Sequence, residues 1–353
     1  MLDQGVMMDT SLIYFANRVV GDAEAEYATL EKVAQFADAN DFSAIWLPER
    51  HFHPFGGAYP NPAVMAGVLA RCTGRVRLRA GSVVAPLHDP LEIVENWAMV
   101  DNLSSGRVDL ALASGWVAND FVLAPGRYAE RRELTFDAVD VVRGVWAGKE
   151  IERVNGEGAR TAVRTYPRPV QPELNVWVTA AGHSTTFERA GAAGLNVLSA
   201  LLFQNVTTLK ENIRTYRTAR EEAGYDPQGG TVTVMAHTLV GADDQRVREV
   251  IREPFEDYLR SSFELWRQQW PETAAADEDA VIAMAFERYF RTASLFGSVD
   301  KCTAFARRLA DCGVDEIACL VDFGVDSVQL LEGLPHLKKV ADAVRDRRNG
   351  DLT

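Results

Sequence analysis

Short, continuously apolar runs rich in β-branched residues alternate along the chain with stretches of helical period. The runs fall at 12–16, 44–48, 76–84, 108–113, 176–180, 195–200, 232–240 and 316–321. Because most of them are continuously apolar rather than apolar on alternate residues, they predict strands covered on both faces, the pattern of a parallel sheet. Between them lie amphipathic segments. In 24–38, Tyr27, Leu30, Val33, Ala34 and Ala37 share one face of a helix, and 61–71 opens on Asn61-Pro62, a capping residue followed by proline at the first helical position. Strands alternating with helices eight times over predict an α/β chain folded as a TIM (β/α)8 barrel rather than an open doubly wound sheet.

Two intervals are too long for simple connections. The stretch 147–174 carries Gly148, Asn155-Gly156, Gly158, Pro167, Pro169 and Pro172, which predicts an excursion holding a small hairpin. The stretch 254–297 has a long helical pattern (Phe255, Leu259, Phe263, Trp266) and an acidic, alanine-rich break at 272–280. The expected organisation is one barrel domain over 1–353 with these two insertions, the second able to cover the barrel mouth.

Charge narrows the partners. The chain has 353 residues, 37 Lys+Arg against 50 Asp+Glu and a formal charge of −13, which disfavours nucleic acid and anionic membrane as partners. Cys72, Cys302, Cys312 and Cys319 show no metal or disulfide spacing. With acidic residues near the start and no long uncharged apolar stretch, a cytoplasmic location is expected.

Four stretches concentrate chemistry where strands run into helices. In 43–62, SAIWLPERHFHPFGGAYPNP, a strand ends at Pro48 and Glu49, Arg50, His51 and His53 follow; a Glu49–Arg50 salt bridge holding the loop is the plainer alternative. The pair His51 and His53, with His183, His237 and Asp322, also mimics the ligand set of a metal-dependent barrel hydrolase. In 76–97, Gly81 and Ser82 would let a flat ligand approach the backbone, or simply suit barrel packing. In 106–133, a strand ends at Ala113, Ser114 and Gly115, followed by Trp116, Asp120 and the arginines Arg127, Arg131 and Arg132, either a phosphate partner or a solvated helix face. In 175–191, Ala181-Gly182-His183 leads to Thr185, three residues before Glu188, a capping-box spacing at a helix start that also suits an anion.

In this order the four stretches resemble the bacterial luciferase-like flavin monooxygenases, most closely the subgroup associated with polyketide and nonribosomal-peptide biosynthesis. The resemblance runs over 12–337, with WLPERHFHPFGGAYPNP its most specific part and ASGWVANDF and GSVDKCTAFARRLADCGVDEIACLV also in place. It implies a TIM barrel that binds reduced FMN from a separate flavin reductase and uses dioxygen to hydroxylate a substrate or insert oxygen beside a carbonyl. The substrate would be a small molecule, free or bound to a carrier protein, and the assembly a homodimer. The resemblance also implies a cis peptide between Gly81 and Ser82 under the flavin. It further implies that Ala113, Ser114 and Trp116 line the ring, and that Ala181, Gly182, His183 and Thr185, with Arg131 or Arg132, hold the phosphate. Ser114 and Ala113 stand where the luciferases have a phosphate-binding arginine and a reactive-site cysteine. Arg50 replaces the first histidine of their Glu-His-His sequence, a catalytic base. Arginine stays protonated near pH 7, so the catalytic set expected here is Arg50 with His51 or His53, and no metal. A deazaflavin-dependent hydride-transfer enzyme, the metal hydrolase and a non-catalytic flavin-binding barrel are the alternatives.

Overall fold

The computed structural model describes residues 8–15, 23–202, 204–269 and 277–345, with backbone alone at 23 and 263–269. The first half holds strands β1 (Asp9–Ile13), β2 (Ala44–Leu47), β3 (Arg77–Val84) and β4 (Val108–Ala113) with helices α1 (Ala23–Ala39), α2 (Pro62–Cys72), α3 (Pro90–Ser104) and α4 (Arg131–Trp146). An antiparallel hairpin, β5 (Ile151–Val154) and β6 (Arg160–Val163), follows inside the first insertion, as its Asn-Gly turn predicts. The second half holds β7 (Val176–Ala180), β8 (Asn196–Ala200), β9 (Val232–Gly241), β10 (Leu295–Ser298) and β11 (Glu316–Leu320). Its helices are α5 (Ser184–Ala192), α6 (Val206–Glu222), α7 (Asp244–Gln269), α8 (Glu278–Arg288), α9 (Val299–Asp311) and α10 (Ser327–Arg345).

Strands β1, β2, β3, β4, β7, β8, β9 and β11 pair in parallel, each with the next, and β11 returns to β1. The ring is a closed TIM barrel, and its eight strands are the eight apolar runs of the sequence. Burial on both faces explains the match: Ala44, Ile45, Trp46 and Leu47 of β2 are all fully buried. Local chemistry sets the helix starts. The Asn61 side chain accepts from Ala63 N at 3.0 Å and Val64 N at 3.2 Å before α2, and Asp89 accepts from Leu91 N at 2.8 Å before α3.

Polar residues explain where the pattern misleads. The apolar run at 12–16 begins too late, since β1 starts at Asp9; Thr10 and Ser11 are buried, and Ser11 donates to Glu316 while accepting from Trp46 Nε1. Residue 16 lies outside the described residues. Near the N-terminal end of the barrel Arg79 lies between the rings of Trp46 and Trp177, 4.8 and 4.6 Å from their centroids, and pairs with Asp109 at 2.7 Å and Glu316 at 2.8 Å. This ionic plug fills the barrel below the mouth. In the second insertion α7 begins ten residues before Pro254 and runs through it. Helix α8 passes into a π-helical turn at Tyr289–Ala293, and β10 then pairs with the far end of β9 outside the ring. The side chains of Phe263 and Trp266, and the break at 272–276, lie outside the described residues.

Candidate active site

A cavity of about 250 Å³ opens at the C-terminal ends of the barrel strands, the end where barrel loops gather chemistry. Part of its wall is made of small residues from neighbouring strand ends: Gly81, Ser82, Ala113, Gly115, Ala180 and Ala181. The Gly81–Ser82 peptide is cis, as the resemblance implied, and the Ser82 and Thr179 hydroxyls share a hydrogen bond of 2.5 Å. A Cβ on Gly81 would lie 2.9 Å from Trp46 Cβ, and one on Gly115 (φ +72°) would lie 2.8 Å from Val84 Cγ1. Much of the rest is aromatic, from Phe15, Phe55, Trp116, Tyr258 and Tyr289.

Arg50 is the fixed cation among the described lining residues. It is only 8% exposed. Its guanidinium stands 4.0 Å from the Phe15 centroid, 5.4 Å from Trp116 and 5.8 Å from Phe55. None of the described residues accepts a hydrogen bond from it, so its N–H groups are left for the cavity. Desolvating such an ion costs several kcal/mol, and ring faces return about 2 kcal/mol in a dry site. Burial lowers its pKa to about 10, against the pull of Tyr258 and Asp120, so it stays charged at neutral pH. The loop is shaped for this side chain: Gly56 has φ +81°, and a Cβ there would lie 2.5 Å from Arg50 Cγ.

Its neighbour Glu49 points elsewhere. His51 Nε2 and His88 Nε2 lie 2.8 and 2.6 Å from Glu49 Oε1, and Val84 N donates to Oε2 at 2.7 Å. Burial acts to raise the Glu49 pKa, but the two imidazoles and the amide more than offset it and hold the carboxyl below its ordinary range. Burial likewise acts against charge on His88, and Glu49 reverses the balance, raising the His88 pKa. The plainer alternative, a Glu49–Arg50 salt bridge, is not formed, since the carboxylate is already filled by three donors.

Two further groups on the wall have unpartnered buried atoms, Asp120 Oδ1 and His237 Nε2. Desolvation lifts Asp120 to about 6, with Arg50 and His51 acting against it. His237 sits among Phe255, Tyr258, Tyr289, Phe296 and Phe323, and burial lowers its pKa to about 3, leaving a neutral ring. Asp120 stood in the sequence motif beside Trp116; the roles of His88, Phe15, Tyr258 and Tyr289 were not visible, because each depends on contacts distant in the chain.

Of the residues expected to be catalytic or to bind the cofactor, Arg50, Gly81, Ser82, Ala113, Trp116 and Ala181 line the cavity. Others stand beside it. His51 is engaged by Glu49, and His53 Nδ1 accepts from Phe55 N at 3.1 Å within the same loop. Arg131 donates to Gly115 O at 3.2 Å and Tyr128 O at 2.8 Å and stacks on the Tyr128 ring; Arg132 is exposed, and Ser114 borders the wall without lining it. Half-buried Gly182 and exposed His183 lead into α5, and Thr185 is exposed in its first turn. The capping-box expectation is corrected there, since His183 is the cap residue, its side chain makes no capping bond, and Thr185 falls inside the first turn. The hydrolase ligand set is not assembled. Asp322 accepts from Phe15 N, His237 lies in its aromatic cage, and no group of three or more His, Cys, Asp or Glu side chains converges among the described residues.

Residues 10–316 match the family model described as luciferase-like monooxygenase. The oxygenase component of the flavin-dependent trigonelline monooxygenase of Acinetobacter baylyi is 29% identical over 223 residues, 62% of this chain and 61% of that one. The chain thus matches under two thirds of that relative's length. Among solved structures, the monooxygenase RslO1 from Streptomyces bottropensis superposes with a TM-score of 0.80 at 22% identity, over 95% of this chain and 98% of that one. The oxygenating constituent of 3,6-diketocamphane monooxygenase from Pseudomonas putida, a type II Baeyer-Villiger enzyme solved with FMN, superposes at 0.78 with 17% identity, over 96% and 98%. F420-dependent enzymes share the fold as well.

Proposed function

We propose that this chain, which belongs to the luciferase-like monooxygenase family, is the oxygenase component of a two-component FMN-dependent monooxygenase. One observation carries the reading: within the matched span, the barrel mouth holds a largely apolar cavity with a wall of small residues and one buried cation. A flat ring system fits such a wall, since Gly81, Ser82, Ala113 and Gly115 let it approach the backbone closely. The unpartnered Asp120 and His237 atoms call for a polar ligand. Bound in reduced form, FMN would supply the electrons and the oxygen-activating chemistry.

The chain's own groups do the rest. Gly81, Ser82, Ala113, Ser114 and Trp116 would border the ring. The phosphate would lie at the start of α5, where Gly182, His183 and Thr185 present backbone N–H groups, with Arg131 or Arg132 closing over it. Phe15, Phe55, Tyr258 and Tyr289 exclude water, which strengthens every electrostatic contact inside. Arg50 holds developing negative charge in place. Asp120, at about 6, is the lining group poised to hold or release a proton near neutral pH. His51 helps hold the Glu49 carboxylate, and His53 acts within the loop rather than from the wall.

The finer terms of the reading are a natural-product intermediate as substrate, free or carrier-bound, a flavin reductase as partner, and a homodimer in the cytoplasm. The relative named an oxygenase component supports the reductase. Val64 and Val68 of α2 and Met99 and Leu103 of α3 form exposed apolar positions on packed helices, suited to a second subunit. No described helix is long and apolar enough to cross a membrane. The test is mass spectrometry of products formed from candidate biosynthetic intermediates with reduced FMN and isotopically heavy dioxygen. One heavy oxygen per product is expected; reduction or hydrolysis without it refutes the reading.

A further inference from the structure

We infer that the substrate of this cavity carries an anionic oxygen, a carboxylate or an enolate-type oxygen on an apolar or aromatic body, and that Arg50 is the residue that selects it. The inference rests on the reading of the cavity as the substrate chamber. A guanidinium presents five N–H donors in a planar fork matched to paired oxygens. At Arg50 none of them is taken by a described residue, and the side chain is held by ring faces, which leave its edge open. The loop makes room for its stem at Gly56 and closes by a bond from Arg50 N to Tyr59 O at 3.0 Å. Such a side chain is placed before any ligand arrives.

The neighbouring charges point the same way. Glu49 lines the cavity, but its carboxylate is spent on His51, His88 and Val84 N. His237 is neutral in its aromatic cage. Asp120 acts on Arg50 through space, without a direct ion pair, and desolvation favours its neutral form. Its protonated carboxyl is a donor for the same anion; its ionised form would compete for cations. Tyr258 and Tyr289 stay protonated, because burial raises both. Below about pH 6 the polar inventory is therefore one open cation facing neutral groups in an aromatic enclosure, with the Glu49 carboxylate taken up by its three donors. An anion on a flat apolar body complements it, and a cationic amine does not.

The experiment uses the purified full chain at pH 5.5, where Asp120 is mostly protonated, and three probes of one shape: benzoate, benzamide and benzylamine. Binding is measured by calorimetry with and without oxidised FMN, and FMN affinity is measured separately by fluorescence. Benzoate should bind more than about tenfold tighter than either neutral or cationic probe. In Arg50→Met that preference should vanish while FMN affinity stays within about threefold, and Arg50→Lys should keep part of it because the charge remains. Equal binding of the three probes, or preference for benzylamine, overturns the inference. Loss of FMN affinity in Arg50→Met together with the benzoate preference also overturns it, since the guanidinium would then serve the cofactor. Benzoate preference that depends on Arg50 in a chain that fails to bind FMN upholds the anion site and refutes the flavin reading instead.

Discussion

Replacing Glu49 by glutamine tests whether the site loop is held by the clamp between β2 and β3. The carboxylate accepts at both oxygens, from two imidazoles on Oε1 and from Val84 N on Oε2. An amide cannot reproduce this. If its oxygen faces the imidazoles, its NH2 opposes Val84 N–H; if it faces Val84, the NH2 opposes two imidazole N–H groups. One or two hydrogen bonds to a charged group are lost, each about 1.5–3 kcal/mol, so a loss of about 1.5–6 kcal/mol is expected. With an unfolding entropy of about 2.1 cal/mol/K per residue over 353 residues, about 3 kcal/mol lowers Tm by about 4 °C. The pH dependence follows from the two shifts. The Glu49 pKa is lowered from 4.5, so its contribution is present above that value and is lost as pH falls through the folded value. The His88 pKa is raised from 6.5, so its contribution is complete below 6.5 and is lost as pH rises through the folded value. The gap between wild type and Glu49→Gln should therefore be widest near pH 5–6.5 and narrow toward pH 8.5. Urea denaturation at pH 6 and pH 8.5 measures it. A gap under about 0.5 kcal/mol at pH 6, or one unchanged at pH 8.5, refutes the clamp.

His237→Leu should remove an acid sensitivity. The ring's pKa is lowered to about 3 from 6.5, so the unfolded chain binds the extra proton and wild-type stability falls by about 1.4 kcal/mol per pH unit below 6.5; denaturation at pH 4.5 and 7 should show a shallower loss in the leucine variant. Gly115→Ala places a methyl 2.8 Å from Val84 Cγ1 at φ +72°, and strain with overpacking should cost about 2–4 kcal/mol. The same change should weaken FMN binding, read by fluorescence titration, because Gly115 borders the small-residue wall. Arg79→Met leaves Asp109 and Glu316 buried without their cation and should destabilise the barrel by about 3–5 kcal/mol, measured by chemical denaturation.

The eight barrel strands were legible because a strand buried on both faces has to be apolar throughout, and the runs at 44–48 or 108–113 contain almost nothing else. The exceptions are the polar groups that satisfy one another inside the barrel. Asp9, Thr10 and Ser11 hide the start of β1, and Arg79 looks like a solvent-facing residue of an alternating strand until Asp109 and Glu316 are brought to it. β10 was missed because four residues after a π-helical turn give no periodic signal. At the site, backbone constraints were readable: the Gly81-Ser82 pair, the Ala113 strand end and the loop carrying Arg50 all reach the cavity. Side-chain partners were not. Nothing local assigns Glu49 to His88, 39 positions away, or gathers Phe255, Tyr258 and Tyr289 around His237. That is why adjacency offered Glu49 as a partner for Arg50 and could not show that His51 contacts Glu49 or that His53 accepts from Phe55 N within its loop.

Anaerobic titration of the purified chain with reduced FMN tests most directly whether the barrel mouth is a flavin site. One reduced FMN per chain is expected, with a dissociation constant at or below about 1 μM, and weaker binding of a reduced deazaflavin under the same conditions. No saturable binding of reduced FMN, or tighter binding of the deazaflavin, would contradict it.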